Sequence, residues 1–331
     1  MIEHEENSTS KLTTGNTHTS DTSHQVTERV WGMKDIFVNF YFIQDRESSQ
    51  WVLVDTGLAV SKNKILKMSG QLFNDKPPAA IILTHGHFDH TGSVEALASH
   101  WHIPVYAHYL EFPYLSGKAS YPPPDPSVGG GLMSLLSPFY KKEPIDISGH
   151  LIALPEDGSV PFLSEWKFLH TPGHAPGHIS LFREGDRVLV AGDALVTTQP
   201  ESLFATITQK QQISGPPSYF TYDWIAGEKS VQELAALKPS IIASGHGKPF
   251  SGIEMEKELE ELARNFNVLA VPETGRYISE PAIADATGVR YIPAKPAGKS
   301  KAWLLMLGVV IIAITALSVA GSRKNYNYHR R

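Results

Sequence analysis

The chain has 331 residues, 41% of them hydrophobic and 19% charged, and a formal net charge of −5. That is enough apolar material for one large core or two modest ones, and the acidic balance creates no field that favours nucleic acid. Cysteine is absent, which excludes disulfides, thiolate metal sites and a cysteine nucleophile together, so any metal must be held by nitrogen and oxygen.

Residues 1–24 are almost wholly polar, without an apolar period, and read as a disordered tail. No charged-then-apolar signal peptide opens the chain. From Val26 the pattern turns strand-like: Val30-Trp31, then 36–43, then 51–54, with the polar break 44–50 making the last two a hairpin. Asp55-Thr56-Gly57 ends that hairpin, and a helix is expected over 61–73. The apolar run Ile81-Ile82-Leu83 then reads as a buried strand, and it stops abruptly in THGHFDH. His85 and His87 are two apart, so at an extended strand end both imidazoles project to one side. Asp89 and His90 fall on the following turn, before a helix over 93–100. Three imidazoles and a carboxylate this close together suit a borderline-soft divalent cation.

A short strand at 104–107 is flanked by His102 and His108, which read as surface or packing residues. Residues 112–147 then leave regular structure, with YPPPDP, three consecutive glycines and the apolar Leu132-Met133-Ser134-Leu135-Leu136. So long a loop inside a domain is usually functional or disordered, and its aromatic content favours a lid with a short apolar helix over the site, with membrane contact or a dimer surface as the alternative. Strands at 166–169 and 177–182 enclose HTPGHAPGH, and the strand 187–193 ends in Asp193. After 218–224 and a helix over 227–237, the apolar run from Ser240 stops at His246. Glycines bracket this histidine and permit close approach. A charged helix over 254–267 caps the domain, and 269–294 is an irregular extension with room for a hairpin.

Residues 295–301 form a Pro/Gly/Lys linker, followed at 302–320 by a stretch without charge. At 1.5 Å per residue, about 19 residues span roughly the 30 Å hydrocarbon layer, so this reads as a transmembrane anchor with a basic tail at 321–331. Basic residues flank it on both sides. The lack of an N-terminal signal therefore leads us to expect the catalytic domain in the cytoplasm and a single-pass membrane attachment.

THGHFDH resembles the T-H-x-H-x-D-H motif of the metallo-β-lactamase-fold hydrolases, the superfamily that includes glyoxalase II and the lactonases. HTPGHAPGH is similar to that family's T-P-G-H-x-x-G-H segment, and Asp55-Thr56-Gly57 resembles its D-T-G. Asp193 and His246 match its strand-terminal aspartate and final histidine. The resemblance implies an α/β fold, an αβ/βα four-layer sandwich, over 25–268. It implies that His85, His87 and His174 hold one metal, that Asp89, His90 and His246 hold the other, and that Asp193 joins them. Asp55 would orient ligands from behind the site, with His178 (and His170) in a supporting role.

Two Zn²⁺ are the implied cofactors, although Fe or Mn also suits such donors. A water shared between the ions would lose its proton near neutral pH and attack a small-molecule acyl substrate, with Asp193 and Asp89 orienting it or relaying protons. Thioesters and esters come first, then lactones. A β-lactam, a phosphodiester or nucleic acid, and redox chemistry on di-iron are less favoured. A non-catalytic metal-binding scaffold is the reading from another class.

Overall fold

A computed structural model describes residues 23–208 and 210–295 of the chain. Seven strands form the first sheet in chain order: β1 (Ser23–Thr27), β2 (Val30–Asp35), β3 (Val38–Gln44), β4 (Trp51–Val54), β5 (Ala80–Ile82), β6 (Val105–Ala107) and β7 (Leu151–Ala153). The first four run antiparallel, and β4 to β7 run parallel. Parallel neighbours need crossovers. These are α1 (Lys62–Phe73) after β4, then α2 (Phe88–Thr91) and α3 (Val94–Trp101) after β5. The β6–β7 connection carries α4 (Phe112–Leu115) and α5 (Leu132–Leu136).

The second sheet contains β8 (Ser159–Val160), β9 (Leu163–His170), β10 (Ile179–Arg183), β11 (Val188–Gly192), β12 (Ile241–Ser244) and β13 (Phe250–Ser251), in the spatial order β13-β12-β11-β10-β9-β8. Its parallel pair is β11 with β12, linked through α6 (Leu203–Thr208) and α7 (Trp224–Ala236). The helix α7 starts three residues before the expected 227 because Asp223 caps it, its Oδ1 accepting the Ala226 amide at 2.9 Å. The chain continues through α8 (Ile253–Arg264), α9 (Phe266–Leu269) and the hairpin β14 (Ile283–Asp285) and β15 (Gly288–Tyr291).

Side-chain alternation along the strands explains why the sheets stack. Tyr41, Ile43, Val52, Val54 and Ile82 of the first sheet share one buried cluster with Ile179, Leu181, Val188, Val190 and Ala243 of the second. The neighbouring residues Phe40, Phe42, Leu53 and Ile81 point the other way, onto Ile65 and Met68 of α1 and Val94 and Leu97 of α3. On the far side of the second sheet, Leu189, Ala191 and Ile242 meet Val231 and Leu234 of α7 and Leu259 and Leu262 of α8. Helices, sheet, sheet, helices: the expected four-layer α/β sandwich is present.

Ser23 and His24 lie in β1 rather than in the tail expected over 1–24. The rest of that tail, the linker beyond Lys295, the expected transmembrane helix over 302–320 and the basic tail all lie outside the described residues. Among the described residues no helix is long and apolar enough to cross a membrane. The 112–147 insertion is partly core, for Tyr114, Leu115, Tyr121, Met133 and Ile147 are buried. It is strapped by the 269–294 extension, where Thr274 Oγ1 donates to the Ser127 carbonyl at 2.9 Å and Tyr277 Oη to the Pro123 carbonyl at 2.6 Å.

The two sheets are also joined by Asp45, at the end of β3. Its Oδ2 accepts the Ser48 amide and hydroxyl, both at 2.8 Å, and its Oδ1 accepts the Ser164 amide and hydroxyl at 2.9 and 2.8 Å. Burial works to raise this carboxyl's pKa, but the four hydrogen bonds prevail and hold it at about 2, below its ordinary 3.8. A folded-state pKa below the unfolded one gives stability that is present above the unfolded value and lost as pH falls through the folded one. Asp45→Ala should therefore cost about 1–3 kcal/mol in denaturant melts at pH 7. The gap to the wild type should narrow from about pH 4 toward pH 2; a gap that stays constant over that window contradicts the assignment.

Candidate metal centre

Carboxyl ends of parallel strands are where an open α/β sheet gathers its polar loops, and both sheets deliver their polar side chains there. Asp55 follows β4, while His85, His87, Asp89 and His90 follow β5 through the loop into α2. From the second sheet come His174, in the β9–β10 turn, Asp193 just past β11, and His246 just past β12. All seven residues expected to bind metal are buried and converge on one point.

Three groups of potential ligand atoms lie mutually within 4.8 Å: His85, His87 and His174; His85, His90 and Asp193; Asp89, His90 and His246. His87 Nδ1 and His174 Nε2 are 2.9 Å apart. Asp193 Oδ2 is the common centre, 3.1 Å from His246 Nε2, 3.5 Å from His174 Nε2 and 3.6 Å from His90 Nε2. Asp89 Oδ2 stands 3.6 Å from His246 Nε2 and 3.9 Å from His90 Nε2. The backbone makes room for this crowding, since a Cβ on Gly245 would collide with Asp193 Oδ1 and lie 2.8 Å from the His90 ring.

Hydrogen bonds from behind fix which nitrogen of each ring faces inward. Asp55 Oδ2 accepts His90 Nδ1–H at 2.8 Å, and the Phe37 carbonyl accepts His246 Nδ1–H at 2.8 Å. Thr84 gives its hydroxyl proton to Asp55 Oδ2 at 2.8 Å, so it accepts from His85 Nδ1–H at 3.0 Å. Each arrangement turns Nε2 into the cluster, as a lone pair on neutral His85 and as the site of the second proton when His90 or His246 is charged. His85 Nε2, His90 Nε2 and Asp193 Oδ1 are buried and have no hydrogen-bond partner among the described residues; neither has His174 Nδ1. Buried acceptors left unmatched are costly, and a divalent cation is what such a donor set fits.

His178 performs a different task. The Asp193 amide donates to its Nε2 at 2.8 Å, so the ring carries its proton on Nδ1 and passes it to Thr171 Oγ1 at 2.9 Å. Thr171 in turn meets Ser180 Oγ at 3.0 Å, and Ser180 donates to the Ala191 carbonyl at 2.9 Å. This one-way chain locks the loop that presents Asp193. His170, by contrast, is exposed, bonds the Pro176 carbonyl at 2.8 Å and stacks on His108 at 4.1 Å. His102 ends α3 in the left-handed conformation, at φ 55°.

The electrostatics divide the cluster in two. Burial, then the neighbouring imidazoles, push His85 and His87 well below the ordinary histidine value. His174 falls to about 3, again through burial first. These three rings are neutral lone-pair donors at pH 7. Burial also opposes charge on His90 and His246, but the carboxylates outweigh it, Asp193 foremost, and both are raised. Burial raises Asp89, while on Asp193 it is outweighed by His246 and His90, which hold that carboxyl well below its usual range. Protons on His90 and His246 thus balance a negative field that a bound cation would also balance.

Sequence reasoning missed several neighbours. The His87 ring is enclosed by Tyr121 at 4.5 Å, Phe220 at 4.7 Å and Tyr222 at 6.0 Å. Asn39 Nδ2 donates to the Ser244 and Gly247 carbonyls at 2.9 and 2.6 Å, clamping the His246 turn. Glu111 is fully buried beneath the cluster, and burial lifts its carboxyl to about 7 against three hydrogen bonds that work to lower it. Thr84 alone carried a signal, as the first letter of THGHFDH.

A sequence model of the Metallo-beta-lactamase superfamily matches residues 33–246. The chain belongs to that superfamily, whose members are dinuclear and metal-dependent. It is 46% identical over 250 residues to the probable metallo-hydrolase YflN of Bacillus subtilis (strain 168), an alignment that covers 75% of this chain and 95% of the relative. A second relative from that strain, the probable metallo-hydrolase YybB, is 28% identical over 211 residues, covering 64% of this chain and 81% of its own length. Among solved structures, a beta-lactamase domain protein from Burkholderia ambifaria shares the fold, with a TM-score of 0.52 and 18% identity over 74% of this chain and 76% of that one.

Proposed function

We propose that the chain is a dinuclear metal-dependent hydrolase acting on an acyl substrate: a thioester, an ester or a lactone. The observation that supports it most is Asp193, with Oδ2 within 3.6 Å of three imidazoles and Oδ1 buried without a hydrogen-bond partner among the described residues. On this reading His85, His87 and His174 hold one ion, Asp89, His90 and His246 the other, and Asp193 contributes to both. Bound there, divalent ions (zinc first, with iron or manganese as alternatives for nitrogen and oxygen donors) would supply an activated water and an electrophile for the substrate oxygen.

The chain's own residues do the rest. Asp55, Thr84 and the Phe37 carbonyl hold His90, His85 and His246 in the tautomers that keep Nε2 free. Asp89 and Asp193, the two inward carboxylates, would orient the activated water or relay its protons. His178 keeps the Asp193 backbone in place. Tyr121, Phe220 and Tyr222 line His87 and exclude water from that side. The acyl preference is supported by the likeness of HTPGHAPGH to the glyoxalase II segment, and the net charge of −5 disfavours a polyanionic substrate.

A panel of thioester, lactone, β-lactam and phosphodiester substrates tests the reading. One acyl class should be hydrolysed, and chelation should abolish the turnover. Asp193→Ala should lose metal and at least ~100-fold in kcat/KM, because groups one layer further from a metal already cost ~10–100-fold. Full activity in that variant would contradict the shared-carboxylate role.

The uncharged stretch 302–320 supports membrane attachment of the same chain. Cell fractionation checks this. The full chain should pellet with membranes, while a chain ending at Lys301 should stay in the supernatant and keep its turnover. Equal distribution of the two would contradict attachment.

A further inference from the structure

Glu111 lies at the start of the insertion, in none of the motifs, yet it touches both halves of the site. Its Oε2 accepts the amide of Gly86, the residue between His85 and His87, at 2.9 Å. Its Oε1 accepts the amide of Gly177, three residues after His174, at 2.6 Å. Tyr121 Oη donates to Oε2 and itself accepts the Gly86 amide at 2.9 Å. Gly86 belongs to the loop leaving the first sheet and Gly177 to the turn within the second. One buried carboxylate therefore ties the two sheets together directly beneath the histidines.

The fit is close at both ends. A Cβ on Gly86 would lie 2.7 Å from Tyr121 Oη, and one on Gly177 would lie 2.8 Å from Glu111 Cγ. Both oxygens serve as acceptors, because each faces a peptide N–H fixed by its own loop. A glutamine would turn an NH₂ donor against one of those two donors and break one tie. His90 and His246 are held by other partners, Asp55 and the Phe37 carbonyl.

We propose that Glu111 is a positioning residue that sets the register of the two histidine-bearing loops and so the metal affinity of the His85–His87–His174 group. This rests on the dinuclear reading above. Zinc binding by the full chain, measured by chelator competition in two backgrounds, separates the roles. In a His246→Ala background, which leaves the His85–His87–His174 group intact, Glu111→Gln should weaken zinc roughly 10- to 100-fold. In a His174→Ala background, which leaves the Asp89–His90–His246 group, the same change should weaken zinc clearly less, because His90 and His246 are held from behind by Asp55 and the Phe37 carbonyl.

Tyr121→Phe keeps the ring and both peptide contacts to Glu111, and it should give a smaller loss confined to the His246→Ala background. Equal weakening in both backgrounds would mean a merely structural carboxylate and would overturn the inference. So would a Glu111→Gln chain that binds zinc as tightly as the parent. A wild-type chain that binds no zinc would overturn the dinuclear reading itself, an outcome distinct from the other two.

Discussion

Five imidazoles and two carboxylates packed into one buried cluster form an electrostatic problem that the whole molecule is arranged around. Imidazoles close together cannot all be charged, and carboxylates close together cannot all be left unbalanced. Without a cation, the cluster settles this by keeping His85, His87 and His174 neutral and by raising His90 and His246 against Asp193. Divalent metal relieves both halves at once, because it uses the neutral lone pairs and replaces the protons.

Such a cluster survives only on a scaffold whose stability does not depend on it. The sandwich interior supplies that scaffold, since each fully buried Val, Ile, Leu or Phe side chain contributes roughly 1.5–3 kcal/mol. The fixed points between the sheets, Asp45 with Ser164 and Asn39 with the Ser244 and Gly247 carbonyls, then hold the loop ends so that residues from two sheets meet within ångströms. The extension after α9 completes the support by bracing the insertion and packing Tyr277 against Tyr222, which in turn faces His87.

The residues of the cluster were legible because their chemistry is local. His85, His87, Asp89 and His90 announce themselves by type and spacing, and strand-terminal Asp193 and glycine-bracketed His246 make sense once the motifs are taken together. Their supports were not legible. Phe37 contributes a backbone carbonyl, which any residue could supply, and Glu111 acquires its role only by reaching Gly86 and Gly177, 25 and 66 positions away. β1 was hidden for another reason. Its sequence SHQVT is polar and half-buried, an edge strand without apolar alternation. Of the insertion's aromatic residues, Tyr114 and Tyr121 turn inward and stack at 3.9 Å in the core beneath the site, a placement that only the folded chain reveals.

Zinc stoichiometry of the purified full-length chain, by equilibrium titration with the bound metal counted directly, tests the central claim most simply. Two equivalents per chain, both lost on chelation without unfolding of the sandwich, are the result the electrostatics of the cluster predict. A chain that stays folded and takes up no zinc, iron or manganese would contradict it and leave the protons on His90 and His246 as the cluster's own permanent balance.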